Sequence, residues 1–139
     1  MNPSEDALRR LVREWVKKAD VDFDVAGRLL EEGARFREVI AFHAQQAVEK
    51  HLKALLVRHQ VEFPKTHDIE ELLNLLRRVR PEIADSLQEA RWLTPFGVEV
   101  RYPGDFPDML PGEERKAFEL ARHVKETVMA ELEAYLAGG

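Results

Sequence analysis

The chain has 139 residues, a formal net charge of −5 and no cysteine. That length suits one domain, spanning residues 1–139, with a core of its own; the acidic balance argues against a generic nucleic-acid binder, which carries a basic bias. The missing cysteines exclude disulfides, thiolate metal sites and thiol catalysis.

A first helix is predicted from Glu5 to Glu32, with an apolar stripe of Leu8, Leu11, Val12, Trp15 and Val16 continued by Phe23, Ala26, Leu29 and Leu30. Gly33 is a natural stop in the left-handed conformation. A second helix follows from Ala34 to Arg58 or His59, and two long helices joined at one Gly should pack as an antiparallel hairpin. Its apolar residues occupy two sides, with Ile40, Ala44, Ala47 and Ala54 on one and Ala41, Val48, Leu52 and Leu55 on the other, so it should lie at the centre. Gln46, Glu49, Lys50 and Lys53 share the remaining sector. Charges on a buried helix must be paired or serve a surface, so this cluster is a salt-bridge network, a subunit interface or a ligand site.

Val61 to Pro64 break the pattern, and Thr66 is the expected N-cap of a short helix from His67 to Arg78. Pro81 suits the first turn of another, reaching Trp92. Thr94-Pro95, Pro103-Gly104, Phe106-Pro107 and Pro111-Gly112 mark a long irregular stretch, the kind of loop that often carries function. A last helix runs from Glu113 to Leu136. The reading is all-α, an up-and-down bundle of four to six helices with two long N-terminal helices. No window approaches the ~18 apolar residues of a membrane span, and Met1 to Asp6 lack a signal-peptide pattern, so no membrane association and a cytoplasmic location are expected.

Three ordered segments carry a family resemblance. Phe42-His43-Ala44-Gln45-Gln46-Ala47-Val48-Glu49-Lys50 with Leu52-Lys53-Ala54-Leu55, then Pro64-Lys65-Thr66-His67-Asp68-Ile69, then Leu93-Thr94 leading to Arg101-Tyr102-Pro103, resemble the signature helix, the Lys-Thr-His turn and the Arg-Tyr-Pro segment of HEPN domains (higher eukaryotes and prokaryotes nucleotide-binding). The resemblance implies a helical domain that forms homodimers and is paired with a small nucleotidyltransferase in a toxin–antitoxin-like system. It also implies nucleotide or RNA as a ligand, with Lys53, Lys65, His67 and Arg101 as the candidates for meeting phosphates.

In ribonuclease members of that family an Arg is followed after four to six residues by a His, and the pair cleaves RNA without metal. The chemistry is sensible, since Arg stabilises an anionic phosphorane-like state and His transfers protons near neutral pH. After Arg101 those positions hold Phe106, Pro107 and Asp108, and the next His is His123. The motif is incomplete, and Tyr102, which titrates near ~10, does not simply replace the base. The expected function is therefore association and binding; the alternative is a metal-independent endoribonuclease toxin with a degenerate motif, in which Arg101 and Tyr102 are the catalytic candidates. His43, His51 and His59 lack adjacent-turn ligand spacing, so no metal site and no cofactor are expected. His67, at a helix start beside Lys65, either helps to hold a phosphate or packs against the central helix as part of a cap. Trp15, Trp92, Phe96 and Phe106 are the aromatic candidates for a dimer interface.

Overall fold

A computed structural model describes residues 4–98, 102–104 and 108–138. Helix α1 (Glu5–Glu32) opens at Ser4, whose Oγ accepts the Ala7 N–H at 3.1 Å. It ends at Gly33 with φ +125° and ψ 176°. The positive φ agrees with the expectation, but the extended ψ belongs to a region open essentially to glycine alone rather than to the left-handed helical well. A 3₁₀ turn, Ala34–Phe36, then leads into α2 (Arg37–Arg58).

Helix α2 is the axis of the molecule, as its two-sided apolar pattern predicted. Ile40, Ala44, Val48, Leu52, Leu55 and Leu56 are fully buried. It lies along α1 as a hairpin partner and against α5 (Glu113–Ala137), while α3 (Ile69–Arg77) and a 3₁₀ segment (Gln88–Gly97) also pack on it. The short α4 (Pro81–Ser86) packs against α3. Among the described residues there is no strand, and the chain is an all-α helical bundle. Among the described residues, no helix is long and apolar enough to cross a membrane.

Three expectations are corrected. The N-cap of α3 is Asp68, whose carboxylate accepts the Glu70 N–H at 3.0 Å; Thr66 lies outside the helix, its Oγ1 accepting the Asp68 N–H and donating to Glu71. The helix begun at Pro81 stops at Ser86 instead of reaching Trp92. Its end is tightened because the Ala84 carbonyl accepts both the Leu87 N–H and the side-chain amide of Gln88, leaving a 3₁₀ path onward. Leu11, assigned to the apolar stripe, is 44% exposed.

Candidate functional site at the turn before α3

The polar sector read from α2 divides. Glu49 and Lys53 turn toward the segment between α2 and α3, Lys50 turns toward α1, and Gln46 donates to the neighbouring Gln45 at 2.7 Å. The four residues therefore do not form one cluster. A helical wheel fixes azimuth only, and long side chains choose partners along the axis as well.

The first group centres on Glu49, only 3% exposed. Its Oε2 accepts Lys53 Nζ at 2.9 Å, and its Oε1 lies 2.8 Å from His67 Nδ1 and 3.3 Å from the Gln45 amide nitrogen. Lys53 also donates to the Thr66 carbonyl at 3.2 Å, and Gln45 to the His67 carbonyl at 3.0 Å. The α2 face thus grips the turn by two consecutive backbone carbonyls and one imidazole. Lys53 is further enclosed by aromatic rings, its Nζ 5.5 Å from the Trp15 centroid and 5.6 Å from that of Phe63. A buried carboxylate costs several kcal/mol unless paired and hydrogen-bonded; here a cation, an amide and an imidazole meet that need.

Gly97, at the end of the 3₁₀ segment, closes over this group. A Cβ at Gly97 would stand 2.8 Å from Gln45 Cδ, so a side chain there would collide with the amide. Thr94 of the same segment accepts the Ile69 N–H at 3.2 Å.

Around this core the candidates are displayed unequally. Lys53 is buried and fully engaged. Lys65 is exposed, and the His67 side chain is 72% exposed although its Nδ1 is tied down. Tyr102 is exposed, as is Asp108, while His123 sits on α5 with Nε2 3.2 Å from the Ser86 carbonyl. Arg101 lies outside the described residues, together with Glu99, Asp105 and Phe106. Of the proposed interface aromatics, Trp15, Trp92 and Phe96 are partly buried against the core.

A second group joins α1 to α2. Asp22, buried in α1, takes His43 Nδ1 at 2.9 Å on one oxygen and Lys50 Nζ on the other. Burial pushes the Asp22 carboxyl up, but the hydrogen bonds from His43 and Lys50 outweigh it and hold the group below its ordinary range. Beside this group His51, with no exposure, places Nε2 3.5 Å from Asp20 Oδ1, and Lys125 approaches the same oxygen at 3.2 Å. Missing from the sequence reading were Gln45, Asp20 and Asp22. Asp22 was detectable, because it falls in phase with Ala19 and Ala26 on the apolar face of α1.

Among the described residues, no group of three or more His, Asp or Glu is placed to hold a metal ion. Fold and site together define a class: an all-α bundle whose central helix carries a buried glutamate network onto the turn that follows it. The chain matches the HEPN domain family over residues 12–134, nearly its whole length, and belongs to that family. No curated protein and no solved structure gives a significant match.

Proposed function

We propose that this HEPN-domain protein acts as a homodimer that binds nucleotide or RNA, with the exposed turn holding Lys65 and His67 as its phosphate-facing surface. The observation that carries the reading is the Glu49 network. It fixes the Thr66 and His67 carbonyls and one imidazole nitrogen, so a cation and an imidazole are presented to solvent on a turn that cannot easily move. Preorganised polar groups bind without a further ordering cost. Lys53 contributes through Glu49 rather than by direct contact, since its ammonium is enclosed. Arg101 enters the proposal from its sequence position alone.

The companion in this reading is a small nucleotidyltransferase, in a toxin–antitoxin-like pair. Co-purification of this chain with a nucleotidyltransferase from the adjacent reading frame is the expected result. Binding is tested by fluorescence anisotropy with a short single-stranded RNA and with free nucleotide, at two salt concentrations. Lys65→Glu should weaken binding and flatten its salt dependence, because each lost phosphate contact reduces the slope of affinity against salt. Wild-type affinity in Lys65→Glu would remove the turn from the binding surface.

A further inference from the structure

His51 is a titratable side chain set among apolar ones. Ala47, Ala54 and Leu55, its neighbours on the same side of α2, are fully buried, and so is the imidazole. Neither ring nitrogen has a hydrogen-bond partner among the described residues. Asp20 Oδ1 lies 3.5 Å from Nε2, and Lys125 of α5 already approaches that oxygen at 3.2 Å. Asp20 is ionised near neutrality, because the contact with His51, and then Lys125, hold its carboxyl below the ordinary range against the effect of burial. A neutral ring fits this site. An imidazolium carries a hydrogen on both nitrogens. Nδ1–H would then face no acceptor, and two cations would share one carboxylate oxygen in a site closed to water. The Asp22 group is built differently. There Lys50 and His43 hold separate oxygens, and the His43 side chain is 25% exposed, so water completes its surroundings.

We propose that His51 is a proton-operated release for the seam between α1 and α5: neutral, it belongs to the core; charged, it is accommodated only when the two helices part and admit water. The fold provides the path. A cleft of about 550 Å³ opens between α1 and α5, lined by Phe23, Gly27, Arg28, Arg115, Phe118 and Arg122. Lys125 links this cleft to the buried ring. Its Nζ lies 4.6 Å from the centroid of Phe23, which lines the cleft, and 3.2 Å from Asp20, which meets His51. Displacing that one side chain opens a route for water to Nε2. The sign follows from linkage. The open seam takes up a proton that the closed seam refuses, so closure is complete above the ordinary imidazole range and is lost as pH falls through it. Around the ring α1 presents Asp20 and α5 presents Lys125; on α2 the adjacent Lys50 is held by Asp22. The release is local, because the Glu49 network grips the turn before α3 through other side chains.

The experiment follows amide hydrogen exchange and imidazole nitrogen NMR shifts of the whole chain between about pH 5 and 8, the range in which histidine changes charge. The His51 ring should show the shifts of a neutral imidazole while the seam is closed. Below about pH 6.5, amides of α1 near Asp20 and of α5 near Lys125 should lose protection about tenfold per pH unit after correction for intrinsic exchange, the slope for uptake of one proton. Amides of α3 should keep theirs. His51→Gln, which takes up no proton, should hold the seam closed to the acid end of the range, and His51→Phe serves as the second variant if the amide disturbs packing. An imidazolium in a chain whose seam amides stay protected would overturn the release and make His51 a charged partner of Asp20 instead. Equal acid loss in the wild type and both variants would also overturn it, placing the titrating group elsewhere, with the Asp22 group the first to vary. Loss of protection in α3 in step with the seam would mean global unfolding and reject a local device.

Discussion

At the scale of single residues, the two buried carboxylates of α1 and α2 have different duties that denaturation can separate. Glu49→Ala removes the partner of an enclosed ammonium and should destabilise by ~3–5 kcal/mol in urea denaturation, the usual cost of stranding a buried charge. A midpoint unchanged from wild type would show that water reaches Lys53 freely. Asp22 gives a pH signature. Its folded pKa lies below the ordinary value of 3.8, so its contribution is complete above that pH and is lost as pH falls through the lower folded value. Asp22→Asn should therefore destabilise by about 1.5–3 kcal/mol near neutrality, the worth of a hydrogen bond to a charged group. The difference from wild type should shrink below about pH 3.8. A difference that stays constant into acid would reject the paired carboxylate. The sequence made Glu49 conspicuous, because a charge on a two-sided apolar helix has to be explained. It could not identify the partners. His67 is eighteen positions away and Asp22 lies on another helix, so these pairings depend on packing that no local pattern encodes.

At the scale of elements, α1, α2 and α5 were legible because long 3.6-residue periodicities meet strong breaks: Gly33 after α1, Val61 to Pro64 after α2 and Pro111-Gly112 ahead of α5. The region from Pro81 to Gly97 was less so. Its apolar residues continue past Ser86 at spacings that fit a helix, yet the Gln88 side chain takes the Ala84 carbonyl and Pro95 lacks a donor, and the segment runs on in 3₁₀ form to Gly97. That path brings Gly97 onto Gln45, which couples the 3₁₀ segment to the Glu49 network. Gly97→Ala should push the amide of Gln45 aside and destabilise by ~1–3 kcal/mol, as overpacked cores do. In the Gln45→Ala background the same substitution should cost less, since the obstructing amide is gone. Strict additivity of the two changes would sink the coupling, because residues in contact give interaction energies of about 0.5–3 kcal/mol in a double-mutant cycle.

At the scale of the whole molecule, the question is what covers the apolar side chains that the bundle leaves outside. Trp15, Trp92 and Phe96 were natural anchors from composition, yet all three pack partly into the core: Trp15 edge-on to Phe63, and Trp92 with its ring 5.1 Å from that of Phe96. Sequence cannot tell an aromatic that fills a core from one that fills an interface, since both need the same area and stiffness. The exposed set is different. Val98 is 46% exposed, Tyr102 70% and Leu110 66%, and all three lie in the long connection from the 3₁₀ segment to α5. A dimer built on these side chains would bury apolar surface that is costly to hydrate. Sedimentation equilibrium at micromolar concentration should give about twice the chain mass of 16.1 kDa. Leu110→Asp should shift the species to monomer without changing the thermal unfolding of the isolated chain, because Leu110 contributes little to the core. A wild type that stays monomeric throughout the micromolar range would reject the dimer. A Leu110→Asp protein that stays dimeric would move the interface elsewhere, with exposed Leu11 and Val21 on α1 as the next surface to vary.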